Sequence, residues 1–292
     1  MIMTVDARRA TAIGFTAVLM WATLALLTAL SGAIPPFQLT AMAFSVAFII
    51  GLGLWGRAGG QIALFTQLPW QVWALGISGL FGYHFFYFVA LQNAPPVEAS
   101  LIAYLWPLLI VLFSSRLPGE RLRWFHGLGT LTGFLGAALL ITQGQGLSFS
   151  WQYRWGYLAA LVCAGIWSSY SVLSRRHGAV PTVAVGGFCG VTALLAWGCH
   201  GLLETTVWPG GDQWVAIAGL GLGPVGLAFF TWDYGVKHGQ IKVLGALSYL
   251  APLLSTLLLV LTGLAEPTWV LGVSSLLIVG GAVLASGDFL RW

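Results

Sequence analysis

Runs of about 20 consecutive apolar residues recur ten times in this chain, at roughly 10–31, 36–56, 70–91, 97–116, 122–141, 153–174, 181–203, 213–236, 241–262 and 268–289. A helix of that length spans the ~30 Å hydrocarbon core of a bilayer, where only helices and closed barrels satisfy their own backbone groups. Barrel strands would alternate apolar and polar positions over ~10 residues, and these runs do not alternate. Only 7% of the residues are charged and the mean hydropathy is +0.89, against about 25% charged in soluble domains. The expected fold is an all-α membrane protein of ten transmembrane helices, with the lipid bilayer as its first partner. Basic residues stand singly or in pairs, so nucleic acid is not an expected partner. Cys163, Cys189 and Cys199 lie in apolar runs without a CxxC pair, which reads as buried small side chains rather than a disulfide framework or a metal site. The run after Arg8 and Arg9 exceeds the ~7–15 residues of a signal-peptide core and lacks a small-residue cleavage site, so it reads as a retained first span.

The basic residues also fix an orientation. With the amino terminus in the cytoplasm, Arg8, Arg9, Arg57, Arg116, Arg121, Arg123, Arg175, Arg176, Lys237, Lys242 and Arg291 fall on the inner side, and of 12 basic residues only Arg154 is outside. The positive-inside rule then predicts both termini cytoplasmic. The same register puts Glu98, Glu204, Asp212 and Glu266 at outer helix ends. Asp233 lies one turn before Lys237 near the inner end of helix eight and reads first as an i,i+4 partner. No carboxylate is left near mid-membrane.

Shifted by 145 residues, the sequence matches itself. YLWPLL (Tyr104–Leu109) falls on YLAPLL (Tyr249–Leu254), Trp124 on Trp269, Gly127 on Gly272, GAAL (Gly136–Leu139) on GAVL (Gly281–Leu284), Gly76 on Gly221 and Phe85 on Phe230. Two repeats follow, 1–145 and 146–292, within one transmembrane unit. Five spans per repeat is an odd number, so the second copy enters the membrane from the opposite side. Inverted repeats of this kind suit a carrier whose halves exchange shapes around a midplane site; a duplicated static scaffold has no need of inversion. Pro107 and Pro252 then occupy equivalent mid-helix positions, and Pro224 in GLGLGPVG stands opposite Gly79 in GISGLFG. Proline removes a backbone donor, and the freed carbonyl is tolerated at membrane depth only against protein or a wet cavity. Gly79, Pro107, Pro224 and Pro252 are therefore expected at hinges or kinks, each proline taken alone being equally readable as a packing kink.

The 15 tryptophans divide by depth. Trp55, Trp70, Trp73, Trp124, Trp151, Trp155, Trp208, Trp214, Trp269 and Trp292 fall at span ends, as an interfacial belt requires. Trp197 and Trp232 lie within about two turns of an end. Trp21, Trp106 and Trp167 remain near span centres, with Tyr83, His84 and Tyr87 in helix three, Tyr104 in helix four, and Ser248 and Tyr249 in helix nine. Buried phenol and imidazole groups need partners, so these are expected to turn inward and bind substrate. His84 is equally readable as a helix lock bonding a backbone carbonyl. An uncharged pocket of rings, hydroxyls and one imidazole suits a neutral amphipathic solute with a flat apolar part. Ring faces stack on it and hold an ammonium group. A free aromatic amino acid fits both.

The mid-helix tryptophan of AVLMWAT, YLWPLL, GIWSSYSVLSRR and WDYGVKHGQIKVLGALSYLAPLLST resemble the drug/metabolite transporter superfamily of the EamA type, and within it the YddG-like aromatic amino-acid exporters of bacterial inner membranes. The resemblance covers essentially the whole chain. It implies export of aromatic and other neutral amino acids from the bacterial cytoplasm by alternating access, with no cofactor. It also places helices one, three, four, six, eight and nine around the pathway. Helices five and ten lie outside it, where Gly129 and Gly133 would serve close helix packing or pairing. A monomer is the oligomeric state taken. Small multidrug relatives carry a coupling glutamate in their first helix; none is present here, so facilitated diffusion is the simpler expectation. The alternative is an exporter of other metabolites or drugs on the same scaffold, proton-coupled through His84. No GxSxG, HExxH, paired intramembrane carboxylates or phosphate-binding GxxxxGK[ST] speaks for an enzyme or an ATP-driven pump.

Overall fold

The computed structural model describes residues 6–60, 63–147 and 149–287; Arg291 and Trp292, assigned above to the inner face and the belt, lie outside them. The described residues form helices and connecting turns, with no strand. Nine helical segments are long and apolar enough to cross a membrane. They are α1 (Ala7–Leu30), α2 (Pro36–Arg57), α3 (Trp70–Asn93), α4 (Pro96–Ser114), α5 (Trp124–Thr142), α6 (Trp151–Arg176), α7 (Ala184–Leu203), α8 (Gly211–His238) and α9 (Ile241–Leu261). The tenth, α10 (Trp269–Ala285), is apolar but has 17 residues, shorter than the run at 268–289.

Helix starts follow local chemistry. Asp6 accepts from the Arg8 amide at 2.9 Å, and prolines open α2 and α4 where an amide has no helical acceptor. Glu204, just past the end of α7, caps α2 from a distance, accepting from the Phe37 and Gln38 amides at 2.8 and 3.0 Å.

The pattern of helix pairing nearly maps onto itself when α1–α5 and α6–α10 are exchanged. α2 packs on α7, α4 on α9 and α5 on α10; α1 packs on α8 as α6 does on α3, and α1 on α9 as α6 does on α4. Glycines allow the closest crossings. A Cβ at Gly235 would stand 2.5 Å from the Gly14 Cα, and one at Gly281 would stand 2.5 Å from the Gly129 carbonyl. The Gly129/Gly133 spacing in α5 thus packs against α10 and Tyr249 of the same chain. One pairing breaks the exchange. The stretch Ala228–His238 of α8 packs on α6, whereas the equivalent pair, α3 and α1, makes no comparable contact.

Five helices are interrupted among the described residues, four of them in matched places. α4 breaks at Tyr104–Leu105, two residues before Pro107, and α9 at Ser248–Tyr249, three residues before Pro252. The π-helical turns Ser78–Gly82 of α3 and Gly223–Leu227 of α8 contain Gly79 and Pro224. α1 is broken at Thr23. Each break loosens the backbone ladder where a neighbouring helix can reach it.

Candidate functional site

Four indoles meet at the level of these breaks. Trp21 of α1 lies 5.9 Å from Trp106 of α4, 5.8 Å from Trp167 of α6 and 5.0 Å from Trp232 of α8. The other three pairs, Trp106–Trp167, Trp106–Trp232 and Trp167–Trp232, are separated by 6.3, 5.9 and 6.2 Å. Most of these contacts are edge-to-face, the arrangement in which one ring's positive edge meets another's negative face. Trp232, within about two turns of the end of α8, is fully buried and faces the cluster. The repeat carried the missed signal, since a shift of 145 residues sets Trp232 on Tyr87.

Two of the indoles are tied to the protein and two are not. The Trp21 Nε1–H donates to the Pro224 carbonyl at 3.1 Å, filling a valence in the π turn of α8. The Trp232 Nε1–H donates to Ser171 Oγ at 3.0 Å. The N–H groups of Trp106 and Trp167 make no hydrogen bond among the described residues. Ser168 holds the broken α4 in place by donating to the Trp106 carbonyl at 3.0 Å.

A wall of polar rings rises from this floor. Tyr83 packs on Trp167 at 5.7 Å and stacks on Tyr87 at 6.1 Å; Tyr104 lies 6.4 Å from Trp106. All three, with His84 and Trp21, are half-buried, while Trp106 and Trp167 are buried. Tyr87 bridges α3 to α4 through Ser100 Oγ at 3.1 Å. His84 donates through its Nδ1–H to the Leu80 carbonyl, 2.7 Å away in the π turn of its own helix, and its ring stands edge-on to Phe44 at 5.2 Å. One imidazole nitrogen therefore locks the helix and the other is left over.

Two expected residues are not brought to the cluster. Tyr249 is fully buried among Ala137, Leu140, Leu253, Leu271 and Ile278, on the α5/α10 side, and its hydroxyl points to the Tyr104 carbonyl at 3.5 Å. Ser248 is fully buried and donates to Leu244 of its own helix at 2.7 Å. Both stand at the break of α9. Asp233 is the expected i,i+4 partner of Lys237 at 2.8 Å, but the pair is buried and Thr182 donates to the same carboxylate oxygen at 2.7 Å. No carboxylate, ammonium or guanidinium belongs to the indole cluster. No group of three or more potential metal ligands is gathered among the described residues.

An amphipathic solute would find three complementary features here. Ring faces from the indoles and from Tyr83, Tyr87 and Tyr104 can stack on a flat apolar part, and the same faces attract an ammonium group. The free N–H groups of Trp106 and Trp167 and the Tyr104 hydroxyl can donate to a carboxylate.

Comparison with known proteins places this geometry. The model of the EamA-like transporter family matches the chain twice, over residues 9–142 and 154–287. Aromatic amino acid exporter YddG of Ancylobacter novellus is 55% identical over 278 residues, 95% of this chain and 96% of the relative. The protein of the same name from Escherichia coli is 22% identical over 95% of this chain and 96% of its own. A solved crystal structure superimposes with a TM-score of 0.92 at 54% identity, covering 96% of this chain and 99% of its own.

Proposed function

Since the chain belongs to the EamA-like transporter family, it is a multi-pass membrane transporter and not an enzyme, and we propose that it exports aromatic amino acids, with other neutral amino acids as weaker substrates, by alternating access. The single observation that carries this reading is the uncharged four-indole floor with two unengaged N–H donors, walled by tyrosines from α3 and α4. The name carried by the 55% identical relative supports the same cargo.

In this reading the aromatic side chain of the substrate lies on the indoles, its ammonium faces the rings and its carboxylate takes the free donors. Ten spans, both termini on the cytoplasmic face and two inverted five-helix repeats complete it. The basic end of the bundle (Arg175, Lys237, Lys242) is then cytoplasmic and the end with Glu98 and Glu204 is periplasmic, placing the protein in the bacterial inner membrane. The doubled family match and the exchangeable helix pairing support the repeats. The matched breaks in α3, α4, α8 and α9 give both halves a place to bend. With no acid in the cluster, transport runs down the amino-acid gradient.

Proteoliposomes test the reading. Phenylalanine uptake is expected to be saturable and to be competed by tyrosine and tryptophan. Inhibition by bulky organic cations but not by phenylalanine would move the cargo to the drug class. No amino-acid transport by folded protein would end the proposal.

A further inference from the structure

On the flank of the bundle α2 and α7 cross backbone to backbone, since a Cβ at Gly51 would stand 2.5 Å from the Gly186 Cα. Beside that crossing lies a groove of about 540 Å³. Gly186, Gly187 and Gly190 give it a floor without side chains, and Phe48 and Leu52 of α2 with Leu194 and Trp197 of α7 form exposed rims. The lining carries no charged group. Its one hydroxyl, on Ser45, is engaged, donating to the Ala41 carbonyl at 2.7 Å and accepting from the Trp197 Nε1–H at 3.3 Å. Water would find too few polar partners to settle along such a surface.

One end of the groove is walled by a file of rings. Trp55 of α2 lies 5.9 Å from Phe65, Phe65 lies 6.3 Å from Trp73 of α3, and Trp73 stands edge-on to Phe188 of α7 at 5.4 Å. The Trp73 Nε1–H donates to the Phe65 carbonyl at 3.3 Å, which ties the α2–α3 connection to α3. Indoles at this level belong to the boundary between hydrocarbon and headgroups. Two residues beyond Trp55 is Arg57, exposed in the last turn of α2 and without an ion-pair partner among the described residues. No Asp or Glu occurs in the sequence between Asp6 and Glu98, so this flank offers Arg57 no anion of its own.

We infer that this groove is a lipid site, seating one acyl chain of an anionic phospholipid whose phosphate meets Arg57. Length, bore and charge all select that occupant. From Trp55 to Ser45 helix α2 rises about 15 Å, the depth of one leaflet in a hydrocarbon core of ~30 Å. Spread over that length, 540 Å³ leaves a mean cross-section of roughly 36 Å². A helix of a second copy, 10–12 Å across with its side chains, needs more than about twice that area. At ~30 Å³ for each water-sized group the groove holds roughly 18 such groups, the size of a single membrane acyl chain. The unpaired guanidinium at the headgroup level supplies the attraction for negative charge. A seated chain would complete the α2–α7 seam where the glycines leave it bare. The inference depends on the place of the chain in a bilayer and on no particular cargo.

Full-length protein, stripped of lipid in detergent and titrated with phosphatidylglycerol, tests the site by native mass spectrometry and by unfolding temperature. The parent is expected to retain one phosphatidylglycerol where further copies are lost, and to unfold a few degrees higher with it than without. Val191→Trp puts an indole into the groove and is expected to weaken retention about tenfold and to abolish the thermal gain. The paired change Leu52→Ala and Leu194→Ala strips two exposed rims, leaves the buried core alone, and is expected to weaken retention to a similar degree. Leu276→Trp, on the exposed face of α10, is expected to change neither readout. Arg57→Gln is expected to weaken phosphatidylglycerol about fivefold and to leave phosphatidylethanolamine as in the parent. Parent-like retention in both groove variants, or equal loss in Leu276→Trp, would overturn the site. Undiminished phosphatidylglycerol binding by Arg57→Gln would overturn the anionic headgroup. A parent dimer that Val191→Trp dissociates, with lipid retention unchanged, would overturn it in favour of a second copy. Retention is read without any transported solute, so none of these outcomes bears on the proposed cargo.

Discussion

Trp106 and Tyr249 are both aromatic, both at helix breaks and two residues from equivalence in the repeat, yet their surroundings assign them different work. Trp106 contacts three other indoles and keeps an unengaged N–H. Losing one ring face removes ~0.5–1.5 kcal/mol of stacking, so Trp106→Ala is expected to raise the half-saturation concentration for phenylalanine roughly two- to tenfold while the protein still inserts. Liposome uptake over a substrate range checks this. Tyr249 lies in the packed seam against α5 and α10. Tyr249→Phe is expected to leave half-saturation unchanged and to lower the unfolding temperature in detergent by a few degrees, through the loss of a hydroxyl worth about 1 kcal/mol or less to the Tyr104 carbonyl. Sequence depth alone made the two look alike. It could not tell which face of a kinked helix meets a cavity and which meets a neighbouring helix, and Trp232 was missed for the same reason.

At the scale of helices, breaks and crossings are set by small residues. Gly14 and Gly235 let α1 and α8 touch backbone to backbone, and the methyl of Gly235→Ala would meet the Gly14 Cα at 2.5 Å, which no rotamer can relieve. That substitution is expected to cost about 1–3 kcal/mol of stability and to lower the yield of monodisperse protein on size exclusion, whereas Gly53→Ala, with open space around it, is expected to behave as the parent protein. The positions of Pro107, Pro252, Pro224 and Gly79 were legible beforehand because the repeat paired them. The form of the breaks was not. A proline marks a missing donor, but whether the chain answers with a turn or a π-helical segment depends on which groups nearby accept the strain. In α8 the Trp21 indole serves the Pro224 carbonyl.

At the scale of the whole molecule, the indole cluster carries no formal charge among the described residues. No titratable acid sits in the indole cluster, so in liposomes containing phenylalanine at equal concentration on both sides, an imposed pH gradient is expected to produce no net accumulation. Uphill accumulation that collapses with a protonophore would instead require a proton-carrying group, with the unengaged nitrogen of His84 the first to replace.

The sequence by itself determined that this chain lives in a bilayer as apolar helices, and its 145-residue register led to the proposal of two copies of one helical plan with polar rings at mid-depth. Those properties follow from run length, periodicity and register, which need no third dimension. Only the tertiary structure decided that four indoles close into one cluster, that Tyr249 and Ser248 stand at the break of α9 away from it, and that Trp21 reaches the π turn of α8. Such facts depend on how broken helices rotate and cross, and residues far apart in the chain meet only after those angles are set.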